Sequence, residues 1–133
     1  MAGKKILIVE DENLQLTIVA KQLKSAGFEI AGARDGTSAI SIARKEQPDL
    51  ILLDLGLPAG DGFTVLQRLQ MIIQTSLIPV VVLSSRTPVG NRDAALKNGA
   101  VAYLQKPVKP EELVKAINQA LGIAEPDAPA GNA

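Results

Sequence analysis

The chain has 133 residues, 47% of them apolar, which is enough for a single hydrophobic core and leaves no room for a second catalytic domain. Fourteen Lys and Arg balance fourteen Asp and Glu, so no net basic field draws the chain to nucleic acid or to an anionic membrane. Cysteine and histidine are both absent, which excludes disulfide scaffolds, thiolate metal sites and imidazole acid–base chemistry and leaves carboxylates, hydroxyls and ammonium groups.

Lys4 and Lys5 precede too few apolar positions for a signal peptide, and no apolar run approaches the roughly 20 residues of a membrane span. The expectation is a soluble cytoplasmic protein. Lys5 to Val9 reads as a buried strand closed by the acidic turn Glu10-Asp11-Glu12-Asn13. Leu16, Val19, Ala20 and Leu23 follow at helical spacing, and Gly27 ends that helix. Phe28 to Ala33 is a short second strand, Asp35-Gly36 a turn, and Ala39, Ile40, Ile42 and Ala43 the stripe of a second helix that stops before Pro48.

Leu50 to Leu53 show no polar alternation and read as a strand buried on both faces, ending at Asp54. An ionised Asp is tolerable there only where the strand emerges, at the carboxyl edge where open α/β sheets place their ligands. A turn-starting or capping Asp is the plainer alternative. A third helix begins near Gly62 with Val65, Leu66 and Leu69 inward; Ile78 to Leu83 is a fourth strand delivering Ser84-Ser85. A helix over Pro88 to Asn98 closes at Gly99, Val101 to Leu104 is a fifth strand, and Pro110 opens a last helix with Glu111 and Glu112 in its first turn.

Five strands alternating with five helices predict an α/β, flavodoxin-like, doubly wound parallel sheet of order 2-1-3-4-5 over residues 4–121. Residues 122–133 turn to Ala, Pro, Gly and Asp and are expected to be a disordered tail or the start of a linker. In that topology Glu10 and Asp11, Asp54, Ser84 and Lys106 leave four strand ends for one pocket. Clustered carboxylates repel one another unless a cation lies among them, and a hard ion such as Mg²⁺ suits the set. Taken singly, Glu10-Asp11 also suit a solvated helix start, Ser84 an ordinary loop hydroxyl and Lys106 a solvated charge. Together they have a further use: a carboxylate beside a metal, a hydroxyl and an ammonium is equipped to attack phosphorus, with Asp54 as nucleophile.

Glu10-Asp11, the run from Asp54 to Gly62 (Asp-Leu-Gly-Leu-Pro-Ala-Gly-Asp-Gly), Ser84-Ser85 and Tyr103-Leu104-Gln105-Lys106-Pro107 together resemble the receiver domain of two-component response regulators over residues 4 to 121. The resemblance implies Mg²⁺-dependent transfer to Asp54 from a phosphohistidine on a sensor histidine kinase or a histidine phosphotransfer protein. It implies metal ligation by Asp11, Asp54, the Gly56 carbonyl, and Glu10 directly or through water, with a cis Lys106–Pro107 bond. Ser84 and Lys106 take the family's hydroxyl and lysine places, and Tyr103 that of a switch aromatic, expected to turn inward on phosphorylation. The output surface would be helix four, strand five and helix five, docking a downstream partner or a second copy. Positions two beyond the acceptor and two beyond the hydroxyl, here Gly56 and Arg86, would govern phosphate lifetime, with Arg86 over the phosphoryl group. Glu10 stands where Asp is commoner, Leu57 where Met is frequent and Ser84 where Thr is. No turnover of an external substrate is expected.

An aspartate-nucleophile phosphatase would need a second acid where Gly56 stands, and a nucleotide- or flavin-binding loop would be repelled by Glu10-Asp11-Glu12. A receiver-like module that only binds partners is the remaining rival, although no carboxylate is missing. Whether the chain acts alone or belongs to a longer protein is open.

Overall fold

The computed structural model describes residues 3–57 and 62–123. Ten elements alternate: β1 (Lys5–Val9), α1 (Asn13–Ser25), β2 (Glu29–Ala33), α2 (Gly36–Glu46), β3 (Leu50–Leu53), α3 (Gly62–Met71), β4 (Val80–Ser84), α4 (Pro88–Lys97), β5 (Ala102–Gln105) and α5 (Pro110–Leu121). The strands form one parallel sheet in the order β2-β1-β3-β4-β5, as the alternation of elements predicts. Among them β1 and β3 are neighbours, with Ile6 opposite Leu50 and Val9 opposite Leu53.

Why the central runs lack alternation is visible in the two cores. Leu7, Val9, Ile51, Leu53, Val80 and Val82 point to the side covered by α2, α3 and α4. Ile6, Ile8, Leu50, Leu52, Val81 and Leu83 point to the side covered by α1 and α5. With helices on both faces, every position of β3 and β4 is buried, and all are apolar except Ser84, the last residue of β4. A fully buried Leu or Ile of this kind contributes about 1.5–3 kcal/mol relative to an exposed one. The helices match by period: Val19 and Leu23 of α1, Val65, Leu66 and Leu69 of α3, and Leu113 and Ile117 of α5 are buried.

Several boundaries differ from the sequence expectation. The Phe28 N–H closes the end of α1 on the Leu23 carbonyl, so β2 starts one residue later. Ile78 belongs to a turn through its bond to the Thr75 carbonyl, and β4 runs from Val80 to include Ser84. The fifth strand is likewise shifted by one, to Ala102–Gln105. The first turn of α4 is broken: Val89 has an extended ψ of 119° and Gly90 a φ of +76°, a conformation open to glycine and strained for other residues. The turn Pro58-Ala59-Gly60-Asp61 and residues 124–133 of the expected tail lie outside the described residues.

Candidate functional site

Three backbone bonds carry the ladder one residue past the strands and deliver the polar groups to one edge. The Asp54 N–H donates to the Val9 carbonyl (3.1 Å), the Glu10 N–H to Ala33 (2.9 Å) and the Lys106 N–H to Ser84 (2.7 Å). Asp54, Glu10 and Lys106 therefore have their backbones held by the sheet although none is inside a strand. Gly62 supports the same edge from below, because a Cβ there would lie 2.7 Å from the Asp54 carbonyl oxygen and 2.5 Å from the Leu55 Cα.

Carboxylate oxygens of Glu10, Asp11 and Asp54 all lie within 4.8 Å of one another. Lys106 Nζ is 2.7 Å from Glu10 Oε1 and 3.8 Å from Asp54 Oδ2, so its hydrogen bond goes to Glu10. Glu10 Oε2 accepts from the Glu12 N–H (3.2 Å), and Asp54 Oδ1 from the Gly56 N–H (3.0 Å). Burial pushes the Glu10 carboxyl above its usual range, against the pull of the Lys106 and Glu12 bonds, and the Asp54 charge pushes the same way. The cleft over these groups has a volume of about 630 Å³ and is lined among others by Glu10, Asp11, Asp54, Gly56, Ser85 and Lys106. A set of hard oxygen donors this close, with one ammonium at its side, fits a divalent cation such as Mg²⁺.

Not every expected residue faces the cleft. Ser84 is 1% exposed, and its Oγ accepts from the Arg86 N–H at 3.1 Å. Its neighbour Ser85, given no role from sequence, lines the cleft instead. The Arg86 side chain is exposed and is not among the described cleft residues; its carbonyl accepts the Tyr103 hydroxyl at 2.8 Å. Tyr103 itself is inward, 8% exposed, in the core beneath α4. The Lys106–Pro107 peptide is cis. Arg34 was invisible to motif reading: its guanidinium donates to the Asp11 carbonyl at 3.1 and 3.3 Å and pins the β1–α1 turn. An Arg closing a strand carried no signal that could have identified it.

Residues 6–118 match the response regulator receiver domain family. The chain is 38% identical over 117 residues to the DNA-binding dual master transcriptional regulator RpaA of Synechocystis, covering 88% of this chain and 48% of that protein. It is 32% identical to protein PilH of Pseudomonas aeruginosa, over 88% of this chain and 97% of that one. Among solved structures, the receiver domain of the sensor histidine kinase PA1611 from Pseudomonas aeruginosa, with a magnesium ion coordinated in its active-site cleft, superposes with a TM-score of 0.84. The identity is 30%, covering 91% of this chain and 99% of that one. The chain therefore belongs to the response regulator receiver domain family, signalling domains of two-component systems. It spans about half the length of most of the curated relatives it matches. Among the described residues no helix is long and apolar enough to cross a membrane.

Proposed function

We propose that the domain accepts a phosphoryl group on Asp54, in the cytoplasm, from a phosphohistidine of a sensor histidine kinase or a histidine phosphotransfer protein. The observation that carries this reading is the placement of Lys106 Nζ, 3.8 Å from Asp54 Oδ2 inside a cluster of three carboxylates. An Asp54 oxygen forms the new P–O bond as the P–N bond to the donor imidazole breaks, and the electron pair leaves with the imidazole nitrogen. Lys106 neutralises charge on the transferring oxygens, and Ser84, whose Oγ already accepts from Arg86, keeps its proton to donate to one of them. Reaching that oxygen requires the buried Ser84 hydroxyl to move toward the cleft, and this movement is the signal.

Asp11, Asp54 and the Gly56 carbonyl would hold Mg²⁺, with Glu10 direct or through water. When bound, that ion supplies positive charge against the three carboxylates and the phosphoryl oxygens. Output runs through the surface of α4, β5 and α5 to a downstream protein or to a second copy, and this domain makes no direct contact with nucleic acid. Incubation with Mg²⁺ and acetyl phosphate followed by intact mass tests the reading: a labile single phosphate adduct is expected. Hydrolysis of added monophosphates with no adduct would make the domain a phosphatase, and the absence of both adduct and hydrolysis would make it a binding module.

A further inference from the structure

Glu10, 5% exposed, is the only buried charged residue among the described residues, and both of its carboxylate oxygens have fixed partners. The Glu12 backbone N–H on Oε2 sets the rotation of the carboxylate; Lys106 Nζ on Oε1 takes its direction from that. The ammonium consequently stops 3.8 Å from Asp54 Oδ2, outside hydrogen-bond distance, and Oδ2 accepts no hydrogen bond among the described residues. Attraction between Lys106 and Asp54 alone would close that gap to direct contact, because a charge-assisted pair is favoured at about 2.8 Å. The opposing pull comes from Glu10.

We propose that Glu10 is a positioning residue that holds Lys106 off Asp54, keeping the attacking oxygen uncovered while leaving the ammonium within reach of a phosphoryl oxygen. Resting on the phosphoacceptor reading above, this gives the chain's Glu a task separate from metal ligation. The side chain must extend from the β1 exit across to the β5 exit to reach Lys106, and an Asp at this position is one methylene shorter. Without the Glu10 charge, Lys106 moves onto Asp54 and masks its lone pair.

Glu10→Gln, nearly isosteric, tests this alone and in a Lys106→Met background. In the metal-free protein, the Lys106 ammonium and Asp54 side-chain carboxylate NMR signals should both shift in Glu10→Gln, and when Lys106 is Met the Asp54 shift should shrink to the small remainder left by the direct Glu10–Asp54 interaction. At Mg²⁺ concentrations shown by titration to be saturating for each variant, Glu10→Gln should slow phosphorylation by acetyl phosphate about tenfold, and less than about twofold in the Lys106→Met background. Equal slowing in both backgrounds means that Glu10 acts through the cation alone and overturns the proposal. So does an Asp54 carboxylate signal in metal-free Glu10→Gln identical to wild type. The NMR measurement uses no phosphodonor, so a failure of Asp54 phosphorylation itself is read separately.

Discussion

The hydroxyl of Tyr103 donates to the backbone carbonyl of Arg86 at 2.8 Å. Because the Arg86 N–H in turn donates to Ser84 Oγ at 3.1 Å, a single loop residue joins the β4 hydroxyl to the β5 aromatic. If Ser84 is drawn toward a phosphoryl oxygen, the Arg86 backbone should move with it, and the displacement should reach Tyr103 through these two bonds. The ring is already buried here, so its expected response is a change of hydrogen bonding and packing rather than an inward swing. Tyr103→Phe keeps the ring and removes the link. With Mg²⁺ and beryllofluoride, the variant should show wild-type NMR shifts at Ser84 but much smaller ones along α4, β5 and α5; full propagation would show that the hydroxyl carries nothing.

Replacing Asp54 by Asn should abolish the phosphate adduct, since the amide oxygen is no nucleophile. The fold should survive, because an amide oxygen still accepts the Gly56 N–H. Intact mass after acetyl phosphate and Mg²⁺ decides it. A stoichiometric adduct on another residue would mean that Asp54 is not the acceptor.

Asp11 sits in the carboxylate cluster, and Lys106, the cluster's ammonium, pairs with Glu10. Asp11→Asn removes one hard anionic ligand and some repulsion together, so it should weaken Mg²⁺ binding about tenfold or more while raising the Tm of the metal-free protein. In wild type, added Mg²⁺ should raise Tm with the logarithm of its concentration, and in the variant that rise should begin at higher concentration. An unchanged Mg²⁺ titration would remove Asp11 from the site.

Arg86→Ala isolates a side chain from its backbone, since both bonds that tie Arg86 to Ser84 and Tyr103 are made by main-chain atoms. Folded over a phosphorylated Asp54, the exposed guanidinium would obstruct in-line water. The variant should alter the rate of dephosphorylation more than Mg²⁺ affinity. Identical decay curves at saturating Mg²⁺ would take the side chain out of phosphate lifetime.

Asp35 caps α2, accepting from the N–H and the hydroxyl of Ser38 at 2.8 Å each. The bond from the Ser38 N–H is the main reason that its carboxyl titrates below the ordinary value. A depressed carboxylate stabilises the fold fully above its unfolded pKa of about 3.9 and loses that contribution as pH falls through the lower folded value. Asp35→Ala should therefore lower Tm at pH 7, with the gap to wild type narrowing only below about pH 4. A gap that stays constant down to the acid limit would mean that the charge on the cap adds nothing to its hydrogen bonds.

Much of this architecture was legible in the chain. Strands buried on both faces leave few polar positions to blur their ends, so the apolar runs Leu50–Leu53 and Ile78–Leu83 announced the parallel sheet and the exit of Asp54, although β4 itself starts at Val80 and keeps Ser84. Glycine and proline marked the helix limits because each restricts or frees φ locally, a property that needs no tertiary context. What only the folded chain decided was direction. At a strand exit, one residue of register sends a side chain to the opposite face, which is why Ser85 lines the cleft while Ser84 lies buried beneath it. The choice of Lys106 between Glu10 and Asp54, which lie 96 and 52 residues earlier in the chain, turned on a difference between 2.7 and 3.8 Å. No spacing along the sequence encodes a difference of that size, because it is set by the relative placement of three strand ends after the sheet has formed.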